Sequence, residues 1–207
     1  DDSNAFVEKL WAVRRVGEII DQLDLKGRNE ELVKELVQLA TQHGILTPYT
    51  AFLADENTVL HDVAGNATRA NTRLDRLGES SGQYGFAQRS LKGSYQRSAQ
   101  VPAFAGRGAA PASGPSEPGI VANEVFGDLD AKAAQNVMQV GRKTFYQRAS
   151  RWIDAEVTPE KEKQAIKIER FSQAYFDLIA KHGKETAKYL TIEGPIVLEL
   201  DGAVYEF

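Results

Sequence analysis

Apolar residues recur along the first fifty positions at helical steps. Phe6, Leu10, Val13, Gly17 and Ile20 fall three or four apart, which puts them on one face of a helix. Trp11 borders that stripe and widens it. Gly27 and Asn29 interrupt the pattern. Asn29 reads as an N-cap, with Glu30 and Glu31 in a first turn whose dipole favours acids. Leu32, Val33, Leu36, Val37 and Ala40 make a second apolar face, and Gly44 is its expected stop. Thr47-Pro48 cannot continue a helix, because a residue before proline is pushed towards extended geometry. The spacing therefore predicts a short extended segment over 49–53. Asp55 is the expected cap of a third helix carrying Val59, Val63, Ala67, Ala70, Leu74 and Leu77 on one side. Gly65 weakens that helix by about 1 kcal/mol against alanine.

The pattern then changes twice. Over 78–119 the chain is rich in Gly, Ser, Ala, Gln and Pro and reads as an extended linker. From 64 to 116 seven basic residues face only Asp75 and Glu79, and Tyr84, Phe86, Tyr95 and Phe104 are expected to bury their rings as anchors. Over 120–207 the pattern predicts a small α+β domain. Gly141-Arg142 divides two apolar runs as a hairpin turn would, and Ala149-Ser150 precedes a further strand over 151–155. Thr158-Pro159-Glu160 begins a helical turn. Ile166 and Ile168 alternate with charged residues as in a half-buried strand. Ser172 caps a helix that is expected to cover the sheet with Phe176 and Ile179 and to stop at Gly183; a short helical piece follows to about 190. Asp201-Gly202 supplies the positive φ of a type I′ turn between 196–200 and 203–207. The fold class is thus α+β, in three sections: 1–77 helical with a short strand, 78–119 linker, 120–207 α+β with antiparallel hairpins.

Composition narrows the function classes. An apolar fraction of 42% supports a real core. The net charge of −4 marks no dedicated nucleic-acid or membrane surface. Arginines interleaved with aromatics in the middle section suit nucleic-acid stacking, but their density is low and the flanks are acidic, so no nucleic acid is expected. The absence of cysteine excludes disulfides, thiolate catalysis and thiolate zinc sites. No apolar run reaches the roughly eighteen residues of a membrane span.

Two stretches carry a resemblance. LWAVRRVGEIID over 10–21 and LVQLATQHGILTPYTAFL over 36–53 resemble the segment after the von Willebrand factor A domain in bacterial relatives of the inter-alpha-trypsin inhibitor heavy chains, proteins that also carry a VIT domain. KTFYQRASRWIDAEVTPEKEKQAIKIERFSQAYFDLI, with YLTIEGPIVLELDGAVYE, resembles the C-terminus of the same proteins. The resemblance implies the C-terminal part of an exported adhesion or surface-assembly protein. It implies no enzyme and a periplasmic or cell-surface location. The partner would be an upstream part of the same protein or another subunit of a larger assembly. It also implies that 1–77 completes an upstream domain, with the stripe of Phe6, Leu10, Trp11, Val13 and Ile20 docked on polypeptide outside this sequence. The rival reading is an accessory or catalytic subunit of a larger enzyme complex.

The chemistry of the residues nominates no catalytic, cofactor-binding or metal position. Asp1-Asp2-Ser3-Asn4 is not the Asp-x-Ser-x-Ser loop of a von Willebrand A metal site. The heavy chains' Asp-Pro step, where they are processed and esterified, does not occur. His43, His61 and His182 stand at no mutual ligand spacing, and two of them fall at expected helix ends, where histidine meets free carbonyls. Gly106-Arg107-Gly108 lacks the strand before it and the Gly-Lys-Ser/Thr after it that a phosphate loop needs. Glu30/Glu31 and Glu160/Glu162 read as solvated helix starts. Asn66-Ala67-Thr68 matches a glycosylation sequon inside an expected helix. Trp11 and Trp152 read as core anchors.

Overall fold

Two helices and a three-stranded meander are enough to orient the molecule, and the rest is laid against them. The computed structural model describes residues 5–78 and 135–207. The first part holds α1 (Ala5–Lys26), α2 (Glu30–His43), a 3-10 turn (Ala51–Ala54) and α3 (Val63–Gly78). The second holds β1 (Val137–Val140), β2 (Lys143–Arg148), β3 (Arg151–Asp154), α4 (Pro159–Glu162), β4 (Ile166–Lys167), α5 (Gln173–His182), α6 (Lys184–Tyr189), β5 (Ile196–Leu200) and β6 (Ala203–Glu206). The six strands form one mixed sheet in the order β1-β2-β3-β5-β6-β4. β3 runs parallel to β5, and β4 parallel to β6; the other pairs are antiparallel. The expected α+β class is therefore what the chain adopts.

Strand alternation splits the core between the two faces of the sheet. Val137 and Tyr146 join Val13, Val16, Ile19, Ile20, Leu23, Leu36 and Leu53 in one cluster. Phe145, Ile196, Leu198 and Tyr205 join Leu178 of α5 and Tyr189 of α6 in another. Two residues of the stripe expected to await an upstream domain, Val13 and Ile20, are buried inside the fold, while Leu10 is half-buried. Val13 is 1% exposed and Ile20 3%, because α2 and the sheet cover them. Trp11, expected as a core anchor, is instead 56% exposed, since it lies off that buried face. The four proposed aromatic anchors, Tyr84, Phe86, Tyr95 and Phe104, lie outside the described residues, as does Gly106-Arg107-Gly108.

The helices begin and end for local reasons. The Asn29 side chain accepts from the amides of Glu31 and Leu32, as its N-cap position requires. Arg15 clamps Glu35 with two hydrogen bonds of 2.6 and 2.8 Å, tying α1 to α2. Gly44 closes α2 at φ 61°. A Cβ there would lie 2.8 Å from Thr144 Cγ2, so Gly44→Ala meets both the left-handed conformation and the sheet. We expect that variant to lose about 1–2 kcal/mol in urea unfolding.

Four expectations are corrected. Residues 49–53 are not extended. Thr50 Oγ1 accepts from the Thr47 amide at 3.0 Å, and the amides of Thr50 and Ala51 return to Thr47 O, which winds the chain into a turn and then the 3-10 helix. Asp55 does not cap α3. It accepts from the Asn57 amide at 2.8 Å in a local turn, and Asp62 caps instead, accepting from the Gly65 amide at 2.9 Å. Gly65 permits this, since a Cβ there would stand 2.1 Å from Asp62 Oδ2. The inner face of α5 carries Tyr175 and Leu178; Phe176 is 52% exposed. Ile166 is likewise exposed on the edge strand β4, and Ile168 packs in its place.

Candidate functional site

The last four carbonyls of α2 decide where the helices meet the sheet. A helix C-terminus leaves these groups without intrahelical partners. Here hairpin β1–β2 supplies side-chain donors to each. Tyr146 Oη donates towards Ala40 O (3.1 Å) and Thr41 O (2.9 Å). Thr144 Oγ1 donates to Gln42 O at 2.8 Å, and Gln139 Nε2 donates to His43 O. Further along, Arg148 Nη2 donates to Leu53 O at 2.7 Å and Asn136 Nδ2 to Ala54 O at 3.1 Å. Burial raises the Tyr146 hydroxyl pKa, so the ring stays a donor across the working pH range.

Beside this seam opens a polar cleft of about 560 Å³. Its walls come from the start of α1, the end of α2, hairpin β1–β2, the end of β3, the α5–α6 junction and the tip of hairpin β5–β6. Asp154 lies at its base with no exposed surface. It pairs with Lys143 Nζ at 2.7 Å and accepts from the amides of Glu156 (3.1 Å) and Glu199 (3.2 Å). Lys143 also bonds Glu156. Burial works to lower the Lys143 pKa, but the Asp154 charge, helped by Glu156, outweighs it and raises it above the ordinary value. Arg142 reaches Glu8 at 3.5 Å, and Lys161 binds both oxygens of Glu199 at 2.8 Å.

Two of the three histidines are brought together here and the third is not. His43 and His182 both line the cleft, from the ends of α2 and α5. His182 Nδ1 is 3.0 Å from Asp201 Oδ2, and its side chain is 6% exposed. His61 instead bonds Val157 O at 2.8 Å and helps fasten α3's leading loop to the sheet. Asn66 of the sequon is 2% exposed and donates to Val59 O and Leu60 O, so its amide is spent inside the fold. Trp152 is packed among the residues under α5 and α6. The Lys143–Asp154–Glu156 set was not singled out from sequence. The available signal was Asp154 two residues after Trp152 in a strand: both point to the same covered face, and a carboxylate there needs a partner.

Burial also lowers the pKa of His43, with Lys9 adding to it and Glu8 opposing. The Lys9 ammonium is itself pushed down by burial to about 8. The folded state therefore binds fewer protons than the unfolded one between about pH 8 and the ordinary lysine value of 10.5. Stability rises with pH across that window, and the full cost of charging Lys9 is present at pH 7. We expect Lys9→Met to gain about 1–2 kcal/mol at pH 7, less than the full shift because solvent screens a half-buried ammonium. The gain should shrink as chemical denaturation is repeated at rising pH.

No group of three or more His, Cys, Asp or Glu among the described residues has metal-binding geometry. No described helix is long and apolar enough to cross a membrane. No protein-family model, curated protein or solved structure matches this chain.

Proposed function

We propose that the chain is a non-catalytic structural and interaction module, the C-terminal part of an exported von Willebrand A-type adhesion or surface-assembly protein that works within a larger assembly. The observation that carries this reading is the pair Val7 and Trp11. They stand one helical turn apart on α1, 58% and 56% exposed, just before the part of that helix whose inner face (Ala12, Val13, Val16, Ile19, Ile20, Leu23) is buried. Two large apolar side chains side by side on a helix are suited to docking another polypeptide. Trp11 belongs to the Leu-Trp-Ala portion of the resemblance, where the family packs against its upstream β-rich part. The seam adds support: the carbonyls of the 36–53 stretch are met by side chains of the 143–179 stretch, so the two resembling segments form one joint. In the cleft, Lys143, Arg142 and His182 each face a carboxylate of the same chain, and Lys161 reaches Glu199 from outside its lining, an arrangement that serves to hold the fold.

The test is a photo-crosslinking residue at position 11 in the native producing cells. We expect an adduct whose partner sequence carries Asp-x-Ser-x-Ser. An adduct with a cofactor-bearing subunit would favour the enzyme-complex reading, and crosslinks confined to this chain would overturn the docking surface.

A further inference from the structure

We propose that the β4 edge of the sheet pairs with the β4 edge of a second copy of this chain, antiparallel about Ile168, with Lys167 of each copy opposite the partner's Glu169. Among the described residues β4 ends the sheet, with β6 on its one paired side. The Ile168 amide continues that ladder, donating to Glu206 O at 2.8 Å. Backbone groups alternate in direction along a strand, so those of Lys167 and Glu169 point away from β6. An open row of this kind is a template for another strand. Glu169 O accepts from the Ser172 amide at 3.2 Å, and a carbonyl keeps a second lone pair for a partner.

The rim of that edge is apolar. Ile166 is 52% exposed, Phe171 75% and Phe176 52%. Ring contacts tie them to one place. Tyr175 lies 5.6 Å from Phe171, 5.4 Å from Phe176 and 6.0 Å from Phe207, which neighbours Tyr205, the register partner of Ile166. Phe171 also holds φ at 66°, where a bulky residue is strained, and its ring gains little burial in return. These side chains offer on the order of 300 Å², a core for the roughly 800 Å² that each partner gives to a stable interface.

Charge complementarity selects a second copy. Lysine on an edge strand ordinarily discourages pairing. Pairing about Ile168 removes that objection, because positions 167 and 169 then meet twice as ammonium against carboxylate. Both side chains are exposed, Lys167 by 84%. Centring the pair on Lys167 or on Glu169 would instead set like charges face to face. The two-fold closes at two copies and carries α5 of each to the same face of the joined sheet.

The inference does not rest on docking through Val7 and Trp11, so either can fail without the other. The full chain is followed by analytical ultracentrifugation at low salt, over about 1–500 μM. We expect the monomer of 22.8 kDa to give way to twice that mass, with a Kd of about 1–100 μM. Lys167→Glu and Glu169→Lys each set like charges opposite one another and should each weaken the dimer roughly tenfold. An equal mixture of the two variants should restore it, because every glutamate then meets a lysine. The double variant Lys167→Glu/Glu169→Lys should restore it for the same reason. Phe171→Asn keeps the positive φ, removes the ring and should weaken the dimer roughly tenfold; it reads the same interface if a charge variant folds poorly. The proposal is overturned if the mass stays at 22.8 kDa throughout, if both charge variants dimerise like the parent, or if the mixture and the double variant remain as weak as the single ones. A dimer that survives all of these substitutions and is lost in Trp11→Ser would belong to the α1 face and would overturn it too.

Discussion

Replacing Asp154 by alanine is expected to cost about 3–5 kcal/mol of folding stability. The carboxylate is fully buried and takes one ammonium and two amides. Its removal leaves Lys143, only 15% exposed at the side chain, with Glu156 alone, and leaves two amides without acceptors. In a chain of this size the melting temperature should fall by roughly 10 °C. A second substitution separates charge from packing. Asp154→Ala combined with Lys143→Met should recover part of the loss, because the stranded cation goes with it. A double variant as unstable as the sum of the two singles would show that the pair is not energetically coupled. Activity-independent readouts, urea midpoints and calorimetry, are enough to decide this.

The second large effect is at Tyr146, which is wholly buried between the helices and the sheet. Tyr146→Ala removes a ring from the main cluster and the donor for two helix-end carbonyls, and should cost about 3–5 kcal/mol. Tyr146→Phe keeps the ring and should cost about 1–2 kcal/mol, since the Ala40 and Thr41 carbonyls then lose a buried donor. If the phenylalanine variant is as stable as the parent, the hydroxyl is not what ties α2 to β2. Hydrogen exchange should locate the loss at the end of α2 and in β1–β2, with the β5–β6 hairpin less affected.

Much of the secondary structure was legible because it rests on local chemistry. Asn29, Gly44, Thr158, Ser172 and the Asp201-Gly202 turn each act within a few residues of themselves, and each does in the fold what its type predicts. The errors arose where two local solutions competed. Asp55 and Asp62 both offer a cap, and only the tertiary position of α3 chooses between them. On α5, the Phe176/Ile179 and Tyr175/Leu178 faces have the same spacing, so periodicity could not rank them. The choice matters for the cleft. With Tyr175 and Leu178 inward, His182 one turn beyond Leu178 is buried against Asp201. The cleft itself was not legible. Its residues come from six separate elements, and no spacing along the chain encodes their meeting.

The parallel pairing of β3 with β5 has a consequence for how the chain reaches this state. Strands β1, β2 and β3 can zip as a meander, and β5 and β6 as a hairpin, each closing only a tight turn. Trp152↔Ile196 and Ile153↔Val197 instead join residues more than forty positions apart in sequence. Closing that distance costs chain entropy before any contact rewards it. The two halves of the sheet should thus form early and merge late. Substitutions at Ile153 or Val197 would then slow refolding, while those in the Asp201-Gly202 turn would act on an element already in place. The step that completes the sheet also brings Asp154 beside the Glu199 amide, so the floor of the cleft is assembled last, by the same event that commits the chain to its fold.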